Sequence, residues 1–269
     1  MRRVLLMDNG SLEPASTRQL RAIAAALAER TGRRVDPVSL AHSAKIPAEA
    51  LDGRPADLFE AALDRGIAEG VTDFVVAPLF IGPSHALTRF VPVLIEERVK
   101  RMPALRVRLA PPLAAPDDPR LSEMIEAHVR EQIAPGAPPR VAIVDHGSPA
   151  RAVTDVRDAV AAQVRARLGD AAAEVVGCSM ERRDGAEFDF NEPTLEHLLA
   201  RPAWRSGPLI LAMLFIAPGR HAGPDGDVAQ IVRAARGDED GVRFTRLLGT
   251  HPRLIEILAD RVGAAERTC

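Results

Sequence analysis

The 269-residue sequence has no tyrosine, one tryptophan (Trp204) and eight phenylalanines. So few aromatics leave no row of stacking platforms for a single-stranded nucleic acid. Cysteine is nearly absent too, with only Cys178 and the terminal Cys269. Two such residues make neither a disulfide framework nor zinc-finger spacing, and they fit a reducing, cytoplasmic setting. Neither sign of charge dominates. With 35 Lys and Arg against 37 Asp and Glu, the net charge is −2 and no bulk basic field draws the chain to nucleic acid. No apolar run approaches the about 18 residues of a membrane span. Met1-Arg2-Arg3-Val4 enters a strand pattern without the apolar core of a secretory signal. A cytoplasmic protein that engages neither membrane nor nucleic acid is expected, as a monomer or homo-oligomer. Nucleotide motifs are missing: neither Gly10 nor Gly147 opens a G-x-G-x-x-G, and there is no P-loop. There is no G-x-S-x-G elbow, and Ser148 two residues from His146 is poor geometry for a nucleophile and its base.

What is present is a soluble globular composition, 46% hydrophobic and 27% charged. One stretch stands out, Val141-Ala-Ile-Val-Asp145-His146-Gly147-Ser148-Pro149. Its apolar run, bounded by turn formers, reads as a strand buried in a parallel sheet. Ser148 and Pro149 read as the N-cap and first residue of the following helix. His146 then lies at the carboxyl end of a strand, where open α/β sheets place their ligands.

Strand and helix patterns alternate along the whole chain, the signature of βα units. Strands are expected at Val4–Met7, Val35–Leu40, Phe74–Ile81 and Leu105–Leu109, and again at Val141–Asp145, Val175–Met180, Leu209–Ile216 and Val242–Leu247. The second set repeats the first. Asp8-Asn9-Gly10-Ser11 aligns with Asp145-His146-Gly147-Ser148, and Leu79-Phe80-Ile81 with Leu214-Phe215-Ile216. His85 aligns with His221, and Pro119-Arg120-Leu121 with Pro252-Arg253-Leu254, all at nearly one offset. The chain therefore reads as a tandem duplication: an α/β fold of two similar domains, 1–133 and 140–269. Each is a mostly parallel four-stranded sheet flanked by helices, with the proline-rich Ala134–Pro139 as an exposed connector.

The duplication sorts the seven histidines. His146 and His221 end the first and third strands of the second repeat, and Glu181 ends the second strand. First and third strands are commonly neighbours in doubly wound sheets, so both imidazoles overhang one crevice. Two imidazoles and a carboxylate suit a borderline divalent metal, and a neutral imidazole equally suits a general base. The blander alternatives are turn or capping histidines and a solvated cluster of Glu181 with Arg182 and Arg183. His42, His128 and His197 read as solvated, and His251 as a helix cap before Pro252. In the first repeat Asn9 stands for His146 and Ala41 for Glu181, leaving His85.

These residues carry a resemblance. A strand into His146-Gly147-Ser148, then Glu192-Pro193, Leu214-Phe215-Ile216-Ala217-Pro218-Gly219-Arg220-His221 and Leu248-Gly249-Thr250-His251-Pro252-Arg253-Leu254 resemble the sirohydrochlorin and cobalt chelatase family. These are the class II chelatases of cobalamin and sirohaem synthesis. The second half matches well and the first half in degenerate form. The resemblance implies two chelatase-like domains facing each other across a cleft. It also implies insertion of a divalent metal substrate (Co²⁺, Fe²⁺ or Ni²⁺) into a carboxylate-rich tetrapyrrole, with no nucleotide and no permanent cofactor. His146, His221 and Glu181 then hold the metal and serve catalysis. Ser148, Arg182, Arg183, Arg220 and His85 are the residues expected to meet the macrocycle. Two other readings are a metal or tetrapyrrole carrier that kept the fold without turnover, and a metal-independent enzyme using His146 as base.

Overall fold

Each of the eight expected stretches contains a strand, and the apolar runs that begin at Val4, Phe74, Val141 and Leu209 are buried along their length, as the interior of a parallel sheet requires. The computed structural model describes residues 2–237 and 241–267; Cys269 lies outside the described residues. The first sheet contains β1 (Arg2–Asp8), β2 (Val35–Ser39), β3 (Asp73–Pro78) and β4 (Arg106–Leu109) in the order β2-β1-β3-β4. The second contains β5 (Arg140–Asp145), β6 (Glu174–Ser179), β7 (Leu209–Met213) and β8 (Val242–Phe244) in the order β6-β5-β7-β8. All the strand pairings are parallel, and Asp8 pairs with Ser39 just as Asp145 pairs with Ser179. In the central strands Val4 to Met7 and Val141 to Val144 have no solvent exposure.

Helices cover both faces of each sheet. In the first unit α2 (Phe59–Ala68) and α3 (Val91–Arg101) bury Phe59, Leu63, Val91 and Leu94 against one face. Helix α1 (Pro14–Thr31) buries Leu20, Ile23 and Leu27, and Gly32 closes it in the left-handed conformation. In the second unit α6 (Leu195–Leu199) and α7 (Asp227–Arg236) share one core with Trp204, Leu211 and Met213. Helix α5 (Arg151–Leu168) packs on β6.

Two helices cross the boundary set by the repeats. Unit 1 is residues 1–115 with 252–269, and unit 2 is residues 116–251. Helix α8 (Arg253–Arg267), the last of the second repeat, packs with α1 and β3; α4 (Arg120–Arg130), the last of the first repeat, packs with α5 and β7. Ala134–Pro139 separates the sequence repeats but lies within the second compact unit.

Three sequence expectations are corrected. His128 is fully buried, not solvated: Leu121, Met124, Ile125 and His128 follow helical spacing on the inner face of α4. Its ring lies 5.2 Å from that of His251, and burial, with the Arg246 and His251 charges nearby, lowers its pKa. Ser148 does not cap α5, whose N-cap is Ala150; the Ser148 hydroxyl accepts the Ala150 N–H instead at 3.1 Å. Helix α7 has no counterpart in the sequence reading, which ran from the His221 loop directly to β8.

Candidate functional site

Strand order fixes where a ligand can sit. From β5 the chain crosses through α5 to β6 on one side, while from β7 it crosses through α7 to β8 on the other. The carboxyl ends of β5 and β7 therefore flank a topological switch point, the place where open α/β sheets bind ligands. His146 follows β5 directly and His221 lies in the loop after β7.

The turn that presents His146 is tightly built. Gly147 has φ 92°, and a Cβ there would collide with the Glu181 carbonyl oxygen. Met180 N–H donates to the Asp145 carbonyl at 2.7 Å and Glu181 N–H to the His146 carbonyl at 3.2 Å. The Asp145 carboxylate accepts the Gly147 N–H at 3.1 Å, so the strand end curls back on itself. Burial raises the Asp145 pKa, opposed by the nearby Arg157 charge. Gly10 repeats the conformation with φ 86°, and Ala41 N–H donates to the Asn9 carbonyl at 3.1 Å. These matching bonds make Asn9 the equivalent of His146 and Ala41 the equivalent of Glu181, as the sequence alignment has them.

The two imidazoles meet edge to face, with centroids 4.7 Å apart and planes inclined at 78°. His221 Nδ1 lies 2.6 Å from Asp227 Oδ2, and His146 Nδ1 lies 3.0 Å from the Gly147 carbonyl oxygen. A carbonyl oxygen and a carboxylate accept, so both Nδ1 atoms carry a proton, and in the neutral imidazole it is Nε2 that offers the lone pair. His146 Nε2 is 3.6 Å from Glu181 Oε1. The sequence-expected trio thus consists of an imidazole pair with a carboxylate beside one member. Among the described residues no group of three or more His, Cys, Asp or Glu side chains is arranged to hold a metal ion.

The arginines have different fates. Arg182 bridges Asp189 at 3.0 Å and Glu192 at 2.8 Å, so it braces its own loop. Arg183 lies over the Phe188 ring at 5.9 Å and Arg151 over Phe190 at 4.6 Å, placing two of the few aromatics next to this turn. Arg220 is 83% exposed in its side chain and 3.4 Å from Asp227. Ser148 is engaged through its backbone by Asn191. His85 belongs to the first unit, at the start of a π-helical turn over Ala86–Phe90.

Sequence reasoning missed Asp227, Asp145, Arg157 and Asn191. Asp227 could have been found as the acidic first residue of an amphipathic stretch with Val228, Ile231 and Val232. No local signal marks Arg157 or Asn191, since their partners are distant in sequence.

Comparison with known proteins adds the following. The CbiX family model matches residues 3–132 and again 140–265. No curated protein matches the chain significantly. Among solved structures, SirB from Bacillus subtilis with Fe³⁺ superposes with a TM-score of 0.74 at 14% identity, covering 98% of this chain and 95% of that one. The sirohydrochlorin chelatase SirB from Bacillus subtilis subspecies spizizenii, in complex with cobalt, gives 0.73 at 15% identity, covering 99% and 96%. DR2241 from Deinococcus radiodurans, a multi-domain protein similar to chelatases, gives 0.63 at 19% identity over 98% of this chain and 54% of that one. At these identities the three structures establish likeness of fold.

Proposed function

The chain belongs to the CbiX family, and from that premise we propose that it inserts a divalent metal ion into a sirohydrochlorin-type tetrapyrrole. The observation that carries the reading is the imidazole pair at the switch point, each ring held at Nδ1, with Glu181 beside His146 Nε2. Two neutral imidazoles suit Co²⁺, Fe²⁺ or Ni²⁺, and structural neighbours hold iron in one case and cobalt in another.

The metal is a substrate, so it must be bound and then released. Two Nε2 atoms capture the hydrated ion and leave its other positions to water, which pyrrole nitrogens replace one by one. Two pyrrole N–H protons leave during the exchange. Glu181, 3.6 Å from His146 Nε2, and the imidazole freed as the metal moves into the ring are the nearest proton acceptors. The Asp227 carboxylate stabilises His221 as ligand and, after release, as imidazolium. Arg183 and Arg220 receive the carboxylates of the macrocycle, while Arg182 braces the loop that carries Arg183.

The test is the visible absorbance of sirohydrochlorin mixed with Co²⁺, Fe²⁺ or Ni²⁺ and catalytic amounts of protein. Many turnovers with at least one metal are expected, without added nucleotide. Binding with no turnover would make the protein a carrier and overturn the reading.

A further inference from the structure

Behind the His146 turn lies a buried polar network. Arg157, on the inner face of α5, is 1% exposed. Its Nη1 donates to Ser179 Oγ at 2.6 Å and to the Asn191 carbonyl at 3.1 Å, and its Nε donates to Asp158 at 2.8 Å. Ser179 Oγ passes the chain on, donating to Asp145 Oδ1 at 2.8 Å. That oxygen also holds the Gly147 N–H, and it lies 3.9 Å from Arg157 Nη1. Asn191 grips the turn from the other side. Its Oδ1 accepts the Ser148 N–H at 3.0 Å and the Thr154 hydroxyl at 3.2 Å, while its Nδ2 donates to the Ser148 carbonyl at 2.9 Å. One amide thus ties both backbone groups of Ser148.

The duplicated half provides an internal control. Helices α1 and α5 are both 18 residues long, and the position of Arg157 in α5 is that of Leu20 in α1. The bridges Ser39–Leu58 and Ser179–Thr194 align the following loops and put Pro55 where Asn191 stands. Asp8, Gly10 and Ser39 are kept, and the Ser43 hydroxyl accepts the Ser11 N–H at 3.2 Å in place of the Asn191 amide. The same turn therefore forms without the arginine and without the asparagine. Burying a guanidinium carries a desolvation penalty, and a buried ion pair is weak evidence for stability. The half without the first histidine manages without both groups, while the half that carries His146 has both.

We infer that Arg157 and Asn191 are positioning residues of the metal site, holding the Asp145–Ser148 turn so that the His146 imidazole stays in register with His221. The inference rests on the metal-insertion reading above. Neither residue touches the metal. Arg157 acts through Ser179 and Asp145 on the Gly147 N–H, and Asn191 acts through Ser148, so the backbone on both sides of His146 is fixed.

The test uses Arg157→Leu, Asn191→Ala and Arg157→Lys in the full chain. It has three readouts: thermal unfolding, Co²⁺ binding by the protein alone from the visible band of imidazole-bound cobalt, and kcat with KM for metal insertion. Arg157→Leu and Asn191→Ala are expected to fold, as the first half does, and to lose about 10–100-fold in Co²⁺ affinity. Their kcat should fall while KM for the tetrapyrrole holds. Arg157→Lys, with charge but no planar fork, should recover part of the affinity. Folded Arg157→Leu and Asn191→Ala proteins that bind Co²⁺ and turn over like the parent would overturn the inference. If Arg157→Leu fails to fold, Asn191→Ala decides, because it leaves no buried charge unpaired. A parent protein that neither binds Co²⁺ nor inserts it brings down the functional reading itself. A parent that binds while the variants match it brings down this inference alone.

Discussion

Asp227 Oδ2 lies 2.6 Å from Nδ1 of His221, and that contact joins the start of α7 to the loop after β7. The backbone reinforces it: Asp227 N–H reaches the Arg220 carbonyl at 3.2 Å and Val228 N–H the His221 carbonyl at 3.3 Å. A carboxylate on the far nitrogen fixes the tautomer, orients the ring and raises the basicity of the ligating nitrogen. Asp227→Ala should therefore weaken Co²⁺ binding by about 10–100-fold. Asp227→Asn, which can still accept from Nδ1 but lacks the charge, should lose less. Cobalt titration of the two variants checks the order, and affinities equal to the parent would remove Asp227 from the site.

The same geometry ranks the histidines. His146 and His221 meet at 4.7 Å between ring centroids, while the first unit offers His85 with Asn9 and Ala41 at the matching strand ends. An asparagine amide is a poor ligand for a borderline metal and no base at neutral pH. His146→Ala and His221→Ala should each abolish metal insertion, whereas His85→Ala should retain substantial activity. Steady-state rates for the three variants decide it. A His85→Ala protein as inactive as His146→Ala would mean that both halves share the chemistry.

How much of this was legible in the sequence follows from what each feature depends on. The central strands are buried apolar runs and stood out by composition, whereas β2, β4 and β8 carry polar residues and were legible only through the alternation with helices; the repeat of Asp-x-Gly-Ser located the two turns. The adjacency of His146 and His221 followed from the strand order common to doubly wound sheets. Helix packing did not follow. That α4 completes the second unit and α8 the first depends on tertiary contacts that no local pattern records. His128 illustrates the same limit from the other direction: its residue type suggested solvent, but its spacing from Leu121, Met124 and Ile125 placed it inside. Arg182 looked like a substrate contact by its position next to Glu181, yet Asp189 and Glu192 further along the loop already occupy it.

Arg220 is largely exposed and 3.4 Å from Asp227, and in the proposed reaction it meets a carboxylate of the tetrapyrrole. A charge-assisted, bidentate contact contributes about 1.5 kcal/mol at the lower end of its range, appropriate to a solvated group. That corresponds to about 10-fold in KM. Arg220→Ala should raise KM for the tetrapyrrole by about that factor and leave kcat nearly unchanged. A collapse of kcat at constant KM would instead place Arg220 in the chemical step, through its contact with Asp227.

The last prediction concerns Asp8, the first-half counterpart of Asp145. Burial pushes its carboxyl up to about 6, and hydrogen bonds with Ser39 and the Gly10 N–H offset only part of that shift. Oδ1 is buried without a hydrogen-bond partner, and Leu20 occupies the helix position that carries Arg157 in the second half. The folded state thus holds this proton more tightly than the unfolded chain, whose aspartate titrates at about 3.9. Linkage then sets the sign. The contribution of Asp8 to stability is fully present below about pH 4 and is lost as pH rises toward 6, where the buried carboxyl must ionise. Asp8→Asn has no charge to bury, so its unfolding temperature should exceed that of the parent at pH 7.5. The gap should narrow as pH falls from 6 to 4. Calorimetric scans of both proteins across that range test the idea directly. A difference in unfolding temperature that stays constant with pH would show that Asp8 titrates alike in the folded and unfolded chain.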